Sequence, residues 1–298
     1  MPWTICSRTG CESFPLKSIV ILFLLFFSFP LHAYERIVSL KPNLTEILFA
    51  LGEGNKVVGV STFCDYPPEV KKIDKVSDYL QPDIEKLISK NPDLIVTSQE
   101  NSSRREIEFL IQKGYKVITY STDTLEDFRR TVLALGKDLG KEKNAQALIA
   151  SFDSQMGILK KKAENLKENE KKPRALFVVG QHPLVVAGSG NLMNEIAPYL
   201  GFQNAVQQSR LKYPTFSIEQ LYSVAPDYII DFAMGTESSA QAQHEAREEF
   251  EKLKGLPAIQ NHQLYFWDIS QIRASPRLPG ELNKLFDHIY SQARKAPS

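Results

Sequence analysis

Residues 83–96 read DIEKLISKNPDLIV, and residues 217–230 read SIEQLYSVAPDYII. Set 134 residues apart, the two share Ile, Glu, Leu, Ser, Pro, Asp and Ile in register and close on a Val/Ile exchange. Each reads as an N-capping residue (Asp83 or Ser217), a short helix, a Pro-Asp turn and a buried strand. Helix–turn–strand units share composition, so apolar spacing alone would carry little. Glu, Pro and Asp kept together in register make duplication the better reading, and two copies of one unit imply two similar lobes.

Outward from the first copy, strand-like and helix-like patterns alternate. The runs at 36–40 (RIVSL), 57–60 (VVGV), 93–97 (DLIVT) and 116–120 (KVITY) are strand-like. Residues 43–51, 83–90, 104–112 and 125–139 are helix-like, with Asn43 as an N-cap and Gly52 as a stop for the first. Such alternation builds parallel sheets from βαβ units. Residues 144–169 break the rhythm: Phe152, Met156, Leu159, Ala163 and Leu166 fall at helical spacing on one face, and ENEKKP at 168–173 ends the run. Beyond it, strands are expected at 175–179, 228–231 and 263–267, and helices at 193–200, 218–223 and from about 279 to 293. The fold class is therefore α/β, two Rossmann-like lobes with mainly parallel sheets (34–141 and 172–298) joined by one long rigid helix (142–171).

The first 33 residues stand apart. Ile19 to Pro30 is an uncharged apolar run preceded by Arg8 and Lys17 and followed by Leu31-His32-Ala33. A basic start, a short apolar stretch and a small residue at the cut describe a cleaved secretory signal; the run is well short of the ~20 residues that span a bilayer. Cleavage near Ala33 would remove Cys6 and Cys11 and leave Cys64 alone, with no internal disulfide possible, and neither Cys6 nor Cys11 sits just after the apolar run, where a lipid would be attached. Hydrophobic residues make up 43% of the chain, charged residues 24%, and the net charge is +1. That balance gives no sign of a nucleic-acid surface or a polybasic membrane anchor.

Glu85 and Glu219 occupy the same place in the two copies. Either alone fits a carboxylate favoured by the helix dipole; as a pair they also fit two acidic knobs, one per lobe, for a partner with two basic sockets. Tyr79 and Tyr213 each lie six residues before their glutamate, where loops after strands form a ligand crevice or merely pack. Asp65-Tyr66-Pro67-Pro68 is a stiff turn, either a connector or a cleft rim. Arg273, opening RASPR at 273–277, fits an anion partner or a helix cap. The chain has no phosphate loop, no His-x-x-x-His pair and no nucleophile elbow, and its five histidines are scattered. No catalytic or metal-binding residues are assigned. His182, after a strand, fits an approach to a metal-bearing ligand or plain solvation.

Together these residues resemble the cobalamin-binding proteins of bacterial ABC importers, within the helical-backbone (class III) group of solute-binding proteins that also takes ferric siderophores and haem. The likeness runs from about Glu35 to Gln292. It rests on RIVSLKPNLTEILFALG at 36–52, GVSTFCDYPPEVKKIDKVSDY at 59–79, the two repeated segments and RASPR. It implies a non-enzymatic, monomeric periplasmic receptor that needs no cofactor of its own. Such a receptor holds a corrinoid such as cobalamin between its lobes for an importer of permease and ATPase subunits. It also implies ligand contacts at Phe63, Tyr66, Tyr79, Ser98, Gln99, Tyr213 and Arg273, and docking through Glu85 and Glu219. Ser98 and Val185 replace aromatic residues of the family pattern, so the resemblance implies a less aromatic pocket. A ferric-siderophore or haem receptor is the alternative on the same scaffold; a secreted metal-dependent enzyme would need a His, Asp and Glu cluster that the sequence lacks. A receptor that signals without transport would be told apart by its neighbouring genes.

Overall fold

The computed structural model describes residues 34–78, 81–101, 104–166, 172–233 and 240–293. The expected export signal and Tyr79 lie outside the described residues.

The first lobe is a five-stranded parallel sheet. Its strands are β1 (Ile37–Ser39), β2 (Val57–Ser61), β3 (Lys75–Ser77), β4 (Leu94–Ser98) and β5 (Val117–Tyr120), in the order β3-β2-β1-β4-β5. That is the strand order of a doubly wound fold, with its switch point beside β1. Ile37, Val38, Ser39 and Leu94 to Val96 are wholly buried, as expected where helices cover both faces. The covering helices are α1 (Pro42–Ala50), α2 (Ile84–Ser89), α3 (Arg105–Gln112) and α4 (Leu125–Asp138). Asn43 is not the N-cap of α1: Lys41 holds that place and Pro42 opens the helix, where proline's fixed φ and missing N–H cost nothing. The Asn43 side chain instead reaches Thr122 beyond β5.

α5 (Glu142–Glu164) is the expected long helix, about 34 Å at 1.5 Å per residue. Its buried face is Ala145, Phe152, Met156, Leu159 and Ala163. Leu166 falls past the C-cap at Asn165, partly buried against the same core. Phe152 meets Phe128 of α4 with ring centroids 4.6 Å apart.

The second lobe repeats the plan in part. Its sheet contains β6 (Arg174–Gly180), β7 (Val185–Val186), β8 (Gln203–Asn204), β9 (Tyr228–Asp231) and β10 (Leu264–Phe266), in the order β10-β9-β6-β7 with β8 also on β6. β7 is antiparallel and the other pairings are parallel. The helices are α6 (Leu192–Ile196), α7 (Ile218–Val224), α8 (Ala240–Glu251), α9 (Pro257–Gln260) and α10 (Leu278–Ala293). The helix expected over 193–200 is α6 followed by a 3-10 turn, Ala197–Leu200, with Pro198 at its start. At the far end of α5, Lys162 binds Asn283 and Asp287 of α10 at 2.7 and 2.6 Å. One core cluster therefore runs from Ile37 through Phe152 to Phe286, and both lobes share it through α5.

The structure explains the repeat. β4 and β9 each lie beside the first strand of their lobe. Asp83 and Ser217 accept the third helical amide of α2 and α7, from Lys86 and Gln220. Asn91 and Ala225 both adopt positive φ, 46° and 43°, turning the chain back into the Pro-Asp pair. Asp93 then accepts the amides of Glu35 and Arg36 at 2.7 and 3.0 Å, and Asp227 accepts that of Arg174 at 2.8 Å. In each lobe the repeated aspartate pins the start of the first strand, satisfying donors the ladder leaves over.

Candidate functional site

The carboxyl ends of the two sheets are the place for a ligand in folds of this kind, and here they face one another. Asp65 and Tyr66, just beyond β2, meet Arg273 and Arg277, beyond β10. Asp123, beyond β5, pairs with Lys212 at 3.2 Å. The amide of Leu125 donates to Glu195 of the second lobe at 2.6 Å.

Phe63 and Tyr66 stand on the loop after β2 with 47% and 43% of their surface exposed, and Tyr213, next to Lys212 in the second lobe, is 52% exposed. Ser98 ends β4, with its hydroxyl buried and no partner among the described residues. Gln99 opens the following 3-10 turn, Gln99–Asn101. Phe63, Ser98 and Gln99 thus lie at the ends of β2 and β4, the two neighbours of β1, which is the switch point of the sheet. Among the described residues no group of three His, Cys, Asp or Glu side chains could hold a metal ion. His182 is exposed 3.6 Å from Glu249, and Cys64 is buried against Thr45 and Ser61.

Arg273 does not cap a helix. Its Nη1 lies 2.9 Å from Asp65 and 3.8 Å from Glu46. Arg277 Nε lies 3.0 Å from Glu46, while its Nη2 donates to the Ser270 carbonyl at 2.9 Å and sits 3.4 Å from Asp65. The Tyr66 ring lies against the same guanidinium, 4.9 Å from its centroid. Two acids of the first lobe thus hold two arginines of the second. Glu46 is the buried member at 3% exposure, and burial pushes its carboxyl up to about 7 although Arg277 and Arg273 pull the other way. Across the cleft, Asp231 at the end of β9 is also buried, which raises its carboxyl to about 6 while Gln181 and the Ala233 amide hold it.

Reading the sequence missed Glu46, the Asp65 carboxylate and Arg277. One signal was present: Glu46 interrupts the apolar face Leu44-Ile47-Leu48 of a helix, a position where an unpaired carboxylate is costly.

Glu85 and Glu219 lie apart from this cluster, both exposed in the first turns of α2 and α7. Hydrogen bonds from Ser217 and a backbone amide hold the Glu219 carboxyl below its ordinary range.

Residues 37–270 match the periplasmic binding protein family, and the chain belongs to it. It is 30% identical over 265 residues to an uncharacterized ABC transporter substrate-binding lipoprotein of Bacillus subtilis, covering 88% of this chain and 82% of that protein. The crystal structure of a periplasmic vitamin B12-binding protein of Vibrio cholerae superposes with a TM-score of 0.71 at 26% identity, covering 88% of this chain and 98% of the other. A periplasmic heme-binding protein of Pseudomonas aeruginosa superposes with a TM-score of 0.76 at 23% identity, covering 87% and 93%; this last likeness is one of fold.

Proposed function

We propose that the chain is an exported receptor that captures cobalamin or a related corrinoid between its lobes. It would work in the periplasm as a monomer, freed of residues 1–33, and deliver its ligand to the permease and ATPase subunits of an ABC importer through Glu85 and Glu219. The observation that carries the reading is the set of half-exposed aromatics, Phe63, Tyr66 and Tyr213, on loops of both lobes where the sheets face each other. Flat rings of this kind bury a large ligand by apolar contact, and the hydroxyls of Tyr66 and Tyr213 keep a polar handle. The resemblance in sequence and the likeness to a B12-binding structure support the corrinoid.

Haem or a ferric siderophore is the second reading, favoured by the fold likeness to a heme-binding protein. Haem propionates and many ferric siderophores are anionic and call for free cations. Arg273 and Arg277 instead both lie against Asp65, at 2.9 and 3.4 Å, which weighs against that reading. Lobe opening is expected to be small, because α5 and the common core tie both lobes to one frame.

The test is a titration followed by the fluorescence of Trp267, the one tryptophan beyond residue 33, which directly follows β10 and packs partly buried against the core. Cobalamin and cobinamide should quench it saturably. Quenching by haem or a ferric hydroxamate, with none by either corrinoid, would replace the corrinoid reading with the second.

A further inference from the structure

The two acidic knobs are equivalent in sequence and unlike in surface. In the first lobe, Ile84 and Ile88 flank Glu85 on α2 and pack against the outer core cluster of that lobe. The remaining surface is charged: Lys86 pairs with Asp83 at 3.0 Å beside the glutamate. In the second lobe the corresponding residues turn outward. Ile218 is 56% exposed and Tyr222 40% exposed. They stand four residues apart on α7, on one face of the helix, with Glu219 beside them. Lys86 has become Gln220, so this knob carries no cation of its own.

Ile218 also borders a groove of about 220 Å³ between α7 and α8, floored by Leu184, Leu221, Phe250 and Leu253. This is below the roughly 300–1,000 Å³ of small-molecule sites and has room for one large apolar side chain. Glu249 lines it with His182 3.6 Å away, Glu219 adjoins it, and no Lys or Arg is among its lining residues. An apolar slot with an acidic rim calls for an apolar side chain next to a basic one.

We infer that docking is directional. The second lobe is the anchor, its Ile218–Tyr222 ridge and adjoining groove receiving a permease loop that presents an apolar side chain beside an arginine or lysine. The first lobe contributes the steering charge of Glu85 alone. This rests on the docking role proposed above and adds to it a partner chemistry and an orientation. The physical basis is that apolar anchors seated in pockets dominate interface affinity, whereas rim charges act chiefly on the association rate and its salt dependence.

The test measures association and dissociation of the loaded receptor on the cognate permease–ATPase complex in nanodiscs. Four proteins are compared: the unaltered chain, Ile218→Ser/Tyr222→Ser, Glu85→Gln and Glu85→Arg/Glu219→Arg. The substituted side chains lie on the surface, and melting temperature and ligand titration confirm that fold and cleft are intact. The serine pair should dissociate about thirtyfold faster, the loss typical of a truncated anchor. Glu85→Gln should associate more slowly at low salt and dissociate nearly as before. Dissociation of the serine pair within threefold of the unaltered chain, or an equal rise for Glu85→Gln, overturns the directional inference while leaving glutamate docking in place. Undiminished docking of the arginine pair overturns the docking reading and the inference with it.

Discussion

Glu46→Gln isolates the buried carboxylate that joins the lobes. In the fold burial pushes this group up to about 7 from an ordinary value of 4.5, outweighing the pull of Arg277 and Arg273. The folded chain therefore holds a proton that the unfolded chain has released over that window, and stability falls as pH rises from about 4.5 to about 7. Above that window the carboxylate is charged in both states and its contribution is flat. At about 1.4 kcal/mol per pH unit, the gap is worth roughly 3 kcal/mol. Glutamine keeps the shape and does not titrate. Denaturant unfolding of both proteins at pH 5, 6, 7 and 8 isolates the effect in their difference, where Asp231 and every other titrating group cancel. The variant should gain on the parent by roughly 3 kcal/mol between pH 5 and pH 8. A constant difference refutes the argument from burial. If the arginines win over desolvation instead, the carboxyl lies below its ordinary 4.5, the difference is flat from pH 5 to 8, and the parent loses stability relative to the variant only as pH falls below about 4.5.

Three further outcomes follow from particular contacts. Tyr213→Ala and Phe63→Ala should each weaken cobalamin binding about thirtyfold, as truncated interface aromatics do; unchanged affinity in both variants would confine these rings to loop packing. Gly136→Ala would put a new Cβ 2.5 Å from the Ala145 Cβ where α4 crosses α5, and should destabilise the protein by about 1–3 kcal/mol through overpacking, read as a lower urea midpoint. Ala225→Asn gives the second lobe the residue its counterpart Asn91 already places at positive φ; Asn tolerates that region better than Ala, so the urea midpoint should rise by the equivalent of about 0.5 kcal/mol.

The amino-acid sequence alone determined the features whose cause is local. The repeated segments, the parallel β–α alternation and the apolar face of α5 were legible because helix and strand periods write themselves into neighbouring residues. The repeated Asp performs the same act in both lobes, holding the first strand at Arg36 and at Arg174. What did not show were the two- and three-residue strands β3, β7 and β8 and the four-residue α9, too short to display a period, and α8, where the polar run AQAQHEAREEFE carries only a weak apolar stripe. The cluster at the junction was hidden for a different reason. Arg273 and Asp65 are 208 residues apart, and nothing near either names its partner. Only once α5 and the shared core have set the two sheets end to end do Glu46 and Asp65 meet Arg273 and Arg277. The same packing decided the difference between the knobs: Ile84 and Ile218 are one residue type at one position of the repeat, and only their lobe's surroundings turn the first inward and leave the second exposed.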